Sequence, residues 1–473
     1  MNAETQAGGG VAQLARAMGA SEPALRLIIS ISLGFPLAYL HRRTLYGKTP
    51  LHQHVFFILS GVFLGIWNFG WDMSHSAISL CTTYLILLVL GSSKLAVAVT
   101  FIFNMSHLLY GYWTTSTEVY DIKWTMPHCV LTLRLIGLSW NYYDGNRDEK
   151  YLSGYQKNVS LKQLPSFLEC AGFTYFPGAF LVGPQFSMRR YLDYVNGELI
   201  ESKSTEPEAL PDNIVPAIKR TALAFIYLLI YLVGAIYVSD EFLLSDDFGN
   251  SNFFKKVFLL GLWARVCLYK YIGCWLLTEG VCTTFALSYN GRDENGQSKW
   301  DGCANVDLFT FENATTFNHY IQSFNMNSNQ WFAEYIYKRL KYLGSRNASQ
   351  FFTLLFIAVW HGFHFGYYLT FFNEFIIMHF EKDITPVLRK NDKLQAMVAT
   401  PHGKVIAWSI QKIYTLIFMG HAFVPFGLLS YSHYMHVYSS VYYFGFLVFC
   451  GYPFAAPYVK RIIRGSATRP HSE

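Results

Sequence analysis

Two short stretches of this sequence carry side chains whose chemistry their surroundings do not explain. The first is Phe356-Ile357-Ala358-Val359-Trp360-His361-Gly362, which sets an imidazole within a long apolar run. Ionisable groups in such runs are expensive to keep, so function is the default reading of one. Near neutral pH an imidazole can take a proton from a hydroxyl and later give it up, the pattern of general acid–base catalysis. The plainer reading is a core histidine bonded to a backbone carbonyl, and composition leaves both open. His364 follows at i, i+3, a spacing that shares one helical face. Two histidines so placed could bind a metal, but no carboxylate or Cys joins them within one turn and Glu374 lies further along. No metal site is expected.

The second stretch is Phe324-Asn325-Met326-Asn327-Ser328-Asn329-Gln330-Trp331, three alternating Asn ahead of an expected helix. Ser328 or Asn329 could be its N-cap, which leaves Asn325 unexplained. Helical spacing over 331–343 puts Trp331, Phe332, Tyr335, Ile336, Leu340 and Leu343 on one broad face, with Glu334, Lys338 and Lys341 opposite. Arg339 falls inside the apolar arc, either as a snorkelling stem or as a phosphate contact. Lys338, Arg339 and Lys341 are therefore the expected binders of a phosphate-bearing substrate, and Trp331, Trp360 and His364 complete the expected substrate-binding set. Familiar signatures are missing: there is no G-x-S-x-G, H-E-x-x-H, P-loop or G-x-G-x-x-G, and no His is followed five residues later by Asp. A hydrolase or kinase would lack its machinery.

Composition says what must hold these residues. Of 473 residues, 52% are hydrophobic and only 14% charged, against roughly 25% charged in soluble domains. Apolar runs recur near 25–40, 55–71, 76–90, 94–113, 126–140, 217–238, 253–289, 351–380, 405–430 and 437–459. At about 20 apolar residues per crossing, they predict an all-α, polytopic transmembrane protein of roughly nine to eleven spans with re-entrant segments. Residues 165–187, with Pro165, Pro177 and Pro184, read as broken or re-entrant, which is tolerated only where protein or water covers the backbone. The expected division is a polar segment 1–23, a membrane domain 24–459 and a basic cytosolic tail 460–473. Residues 1–23 do not read as a cleavable signal peptide, so the first apolar run should stay as a helix. The 18% aromatic content suits interfacial belts and helix packing, and could also line a pocket for unsaturated acyl chains.

The net charge of +6 lies in loops beside apolar runs, which favours lipid headgroups or a phosphorylated small substrate over nucleic acid. Lys382, Arg389, Lys390, Lys393 and Lys404 mark one loop as cytosolic, and Lys460, Arg461, Arg464 and Arg469 mark the tail. Lys338, Arg339, Lys341 and Arg346 look cytosolic as well, yet one strong run, 351–380, separates them from the 381–404 loop. Either that run is bent or re-entrant, or one cluster is on the other side. Eight Cys without a C-x-x-C pair read as free thiols.

The Asn-rich stretch followed by Trp360-His361-Gly362 resembles the membrane-bound O-acyltransferase family. Arg134-Leu135-Ile136-Gly137-Leu138-Ser139-Trp140-Asn141-Tyr142-Tyr143-Asp144-Gly145 and Gly183-Pro184-Gln185-Phe186-Ser187 resemble its lysophospholipid branch, and Glu279-Gly280 with Phe285 to Gly291 resembles another of its motifs. The likeness covers nearly the whole chain. It implies the family's membrane fold and acyl transfer from acyl-CoA, the donor substrate, to the free hydroxyl of a lysophospholipid, with polyunsaturated donors favoured. It implies an endoplasmic reticulum membrane enzyme without a cofactor, with His361 and Asn325 as catalytic residues. A homo-oligomer is compatible with the sequence. The same family also hosts acyl transfer to sterols, diacylglycerols and peptides. A transporter with His361 in a proton path is a further alternative, weakened by few intramembrane carboxylates and no visible inverted repeat.

Sidedness can be tested on the sequons at Asn104, Asn158, Asn313 and Asn347. Asn347 lies beside the basic cluster at 338–346, so glycopeptide mapping of protein from a eukaryotic host should find it bare. A glycan there would put that cluster in the lumen.

Overall fold

The computed structural model describes residues 9–17, 19–117, 121–199 and 212–465; Arg469 and most of the expected tail lie outside these. The described residues are nearly all helical. They contain no strand, only two isolated bridges, Arg292–Ser298 and Val306–Phe324. Among the described residues, five helices are long and apolar enough to cross a membrane: Glu22–Thr44, Pro50–Leu90, Lys94–Thr115, Ile214–Leu243 and Phe253–Phe285. Tyr431–Ser440 and Phe444–Arg464, bent by 74°, make a sixth if taken as one span. Other apolar runs form helices that are too short or too polar for that criterion. Arg346–His361 has 16 residues, fewer than the roughly 20 a crossing takes. Thr125–Gly145 is buried on most sides and carries Arg134, Asn141 and Asp144 inward.

The outer helices expose what lipid solvates. Ile214–Tyr237 buries only Ala217, Ala224 and Tyr227, while Phe225, Leu229, Leu232, Val233 and Ile236 are exposed. Such a continuous apolar surface would be a liability in water and is the norm against hydrocarbon. The 33-residue helix Phe253–Phe285 is the spine. It packs on Glu22–Thr44, Ile214–Tyr237 and Pro401–Leu428. Small residues let the backbones approach: a Cβ on Gly420 would come 2.7 Å from the Gly261 nitrogen, the kind of contact that joins helices where lipid supplies no hydrophobic drive.

The segment expected to be broken is broken. Phe167–Thr174 is a short helix, followed by non-helical chain through Ser187. Arg134 is 3% exposed and donates to the carbonyls of Phe173, Ala179 and Pro184 at 3.4, 2.9 and 3.0 Å. Its guanidinium also lies 4.8 Å over the Phe186 ring. Gln185 donates to the Val130 carbonyl at 2.7 Å. Backbone that could not be left bare is thus satisfied by protein, and two stretches distant in sequence meet.

The 351–380 run is two helices, Arg346–His361 and Phe365–Arg389, separated at 362–364. Gly362 turns the chain at φ +123°, a conformation glycine adopts without strain. The helices return side by side: Gln350 donates to Met378 Sδ at 3.4 Å and also bonds Lys382. The basic clusters at 338–346 and 381–404 therefore lie at the same end of this pair, so the bent reading holds. Lys460 joins that end, reaching Asp383 at 2.6 Å from a helix that continues to Gly465. The expected boundary at 459 does not interrupt this helix.

Candidate active site

His361 is the last residue of its helix rather than the middle of one. The helix starts at Ser345, whose Oγ accepts from Ala348 N at 3.2 Å, and ends because Gly362 leaves helical geometry. Trp360 anchors the end by donating Nε1–H to the Cys129 carbonyl at 2.9 Å. The imidazole stands in an aromatic cage, with ring centroids 4.6 Å from Trp360, 5.3 Å from Tyr367, 5.6 Å from Phe371 and 5.2 Å from Phe426. It has no hydrogen-bond partner among the described residues, so the reading of a core histidine bonded to a carbonyl does not hold here.

Asn325 precedes the helix Met326–Tyr335 in left-handed conformation, φ 50° and ψ 46°, which Asn tolerates better than most residues. It occupies the N-cap position, but its side chain makes no capping bond. Its Oδ1 instead accepts from Asn305 Nδ2 at 3.3 Å. Asn305 also bonds the next turn through its Oδ1, to Asn327 N at 3.1 Å. Asn327 donates to the Ala304 carbonyl at 3.0 Å, and Asn329 donates back to the carbonyls of Ile321 and Phe324 at 2.8 and 2.9 Å. The alternation of three Asn thus ties two irregular segments together, and neither Ser328 nor Asn329 is the N-cap. Beneath them Glu279 accepts from the N–H groups of Asn305 and Val306 at 2.7 and 3.2 Å and faces Arg220 at 3.5 Å.

His361 and Asn325 line one cavity of about 180 Å³, together with Asn329, Trp360 and Glu374. Its remaining walls are mostly apolar and include Phe311, Phe332, Phe371 and Phe426. Asn305 was missed by sequence reasoning; it lies in a polar loop that long-range pairing, the Val306–Phe324 bridge and the Met326 N–H bond to the Asn305 carbonyl, brings alongside Asn325. No group of three His, Cys, Asp or Glu among the described residues could hold a metal ion. All eight cysteines are unpaired.

The other expected residues do not line this cavity. His364 follows the helix break, so it shares no helical face with His361; its Nε2 lies 3.3 Å from Ser116 Oγ. Trp331 is buried against Phe332, Tyr335 and Phe356. The expected helix 331–343 is α-helix to Tyr335 and tight 3-10 helix over Tyr337–Leu343. Glu334, expected on its polar face, is 2% exposed and is held by Ser153, Gln330, Gln156 and Lys338. Lys338 is thereby engaged, and Lys341 is exposed. Arg339 forks onto buried Asp144 through both terminal nitrogens and lies 4.2 Å over the Trp140 ring. A carboxylate 195 positions away is its partner in the apolar arc.

Comparison with known proteins agrees with these features. The sequence profile of MBOAT, the membrane-bound O-acyltransferase family, matches residues 109–424. The chain is 42% identical to "Lysophospholipid acyltransferase 5" of Bos taurus over 95% of its own length and 92% of that protein's. It is equally similar, at 42%, to the proteins of that name from Homo sapiens, covering 95% of this chain and 91% of the relative, and from Drosophila melanogaster, covering 92% and 86%.

The Arg339–Asp144 pair makes a prediction. Arg339→Ala strands a buried carboxylate and should cost roughly 3–5 kcal/mol of stability, read as a lower melting temperature in detergent. An unchanged melting temperature with a several-fold higher KM for a phosphate-bearing substrate would restore the phosphate role.

Proposed function

This chain belongs to the membrane-bound O-acyltransferase family, and from that premise we propose that it moves an acyl group from acyl-CoA to the free hydroxyl of a lysophospholipid, lysophosphatidylcholine foremost. The observation that carries the reading is that His361 and Asn325 meet in one apolar cavity. A thioester is already activated, so no covalent enzyme intermediate is needed. The lysolipid O–H donates to an imidazole nitrogen of His361. As the proton transfers, the hydroxyl oxygen attacks the thioester carbonyl carbon. The C–O bond forms, the carbonyl oxygen becomes an oxyanion, and collapse breaks the C–S bond. The CoA sulfur leaves with the proton held by His361, which returns the imidazole to its neutral form. An imidazole with no competing hydrogen bond is suited to both transfers.

Asn325 supplies the complementary donor. Because Asn305 occupies its Oδ1, the Nδ2–H group is the end left for substrate, either to hold the thioester carbonyl or to stabilise the oxyanion. The mostly apolar walls limit water, which would otherwise hydrolyse the donor. The ring-lined space suits the kinked chains of polyunsaturated donors, which we propose are favoured. Lysophosphatidylethanolamine and lysophosphatidylserine are proposed further acceptors. The proposed location is the endoplasmic reticulum membrane, an expectation carried by the family resemblance.

Microsomes assayed with acyl-CoA and a panel of lysolipids test this directly. His361→Ala should abolish acyl transfer at wild-type protein levels; substantial remaining activity removes His361 from the reaction. Asn325→Ala should lower kcat by about 10²–10³-fold while changing the acyl-CoA KM far less. An unchanged kcat would make Asn325 structural.

A further inference from the structure

A second pocket, of about 290 Å³, shares a wall with the His361 cavity. It lies between the end of Ile214–Tyr237, the turn at Asp240–Leu243, residues Trp263 to Tyr271 of the spine, and Phe423 to Gly427. Phe423 and Phe426 line both spaces. The Phe426 ring meets the His361 ring at 82°, with centroids 5.2 Å apart. One aromatic layer therefore separates the second pocket from the imidazole.

The chemistry changes across that layer. The second pocket presents Asp240, Glu241, Lys270, Tyr231 and Tyr271. Asp240 and Glu241 are exposed; one Asp240 oxygen accepts from Trp263 Nε1 at 2.7 Å, which fixes the carboxylate in the pocket. Lys270 Nζ lies 5.1 Å over the Tyr271 ring and 5.8 Å over the Tyr231 ring, so these rings already act as a surface for a cation. Two carboxylates against one ammonium repel a polyanion such as the CoA nucleotide. The set matches a ligand that carries both a phosphate and a cationic group.

We propose that this pocket holds the zwitterionic headgroup of the acyl acceptor, its cationic end at Asp240 and Glu241 and its phosphate toward Lys270. This rests on the acyl-transfer reading above. In a lysophospholipid the glycerol hydroxyl lies only a few bonds from the phosphate. A headgroup held behind Phe426 thus brings that hydroxyl to the wall against which His361 stands. Headgroup choice is set in this pocket, apart from the apolar space that receives the acyl chain.

Purified full-length enzyme, titrated with lysophosphatidylcholine and with lysophosphatidic acid, which lacks the cation, tests the assignment. In the double variant Asp240→Asn, Glu241→Gln, the ratio of kcat/KM for the choline acceptor to that for the phosphatidic one should fall about tenfold, with the acyl-CoA KM unchanged. Asn keeps an acceptor for Trp263. Glu241→Gln alone, on an exposed side chain, should move the ratio the same way by less. An active wild type whose ratio is unmoved in both variants, or an equal loss towards both acceptors, would overturn the proposal. A wild type inert towards every lysophospholipid would instead overturn the acyl-transfer reading, and the headgroup assignment with it.

Discussion

Glu279 sits within the spine helix with 2% exposure, and its carboxylate is where the irregular part of the chain is tied to the regular part. One oxygen accepts two consecutive backbone N–H groups, from Asn305 and Val306. In a region with little water, each of those groups left bare would cost several kcal/mol. Satisfying both from a rigid helix fixes the position of Asn305 as well as its comfort. The Asn305 side chain then reaches two ways, to Asn325 and to the turn that follows it. The loop, already bonded to the segment around Asn325, thereby also gains a fixed point on a rigid helix.

His361 is placed by a different device with the same logic. A helix of 16 residues stops inside the protein, and Gly362 lets the chain turn back at once. Ending a helix in an apolar interior exposes its last carbonyls, and here the terminus lies among Trp360, Tyr367, Phe371 and Phe426 rather than against lipid. Arg134 does the corresponding service for residues 173–187, with three carbonyls bonded to one guanidinium. In both places a polar side chain or a packed wall covers the irregular backbone.

The parts legible in sequence were those encoded over short distances. Apolar run length located the helices. An imidazole in such a run, and an Asn unexplained by capping, singled out His361 and Asn325. Long-range pairing was not legible. Arg339 shows why: its position in an apolar arc is a local fact with several physical causes, and Asp144, which selects among them, lies 195 positions away. Glu334 was read as solvated because helical spacing knows the faces of one helix but not what covers them; Ser153 and Gln156 do. The i, i+3 relation of His361 and His364 presumed one continuous helix, and Gly362 was the local sign that it ends.

In the proposed reaction two incompatible demands meet at His361. The acyl chain wants an apolar space without water, while a phospholipid headgroup and a hydroxyl want polar company. Merging the two would wet the thioester and strengthen hydrolysis at the expense of transfer. A single layer built from Phe423 and Phe426 resolves this, because an aromatic ring is thin and excludes water across its face. Phe426 borders both the cavity that holds His361 and the pocket that holds the carboxylates and Lys270. In the proposed reaction the acceptor's headgroup stays on the polar side of that layer while its hydroxyl reaches the imidazole in the cavity. The proposed base gains from its place at a helix terminus rather than mid-helix, since a ring on the last turn can face a junction between compartments that the side of a packed helix cannot.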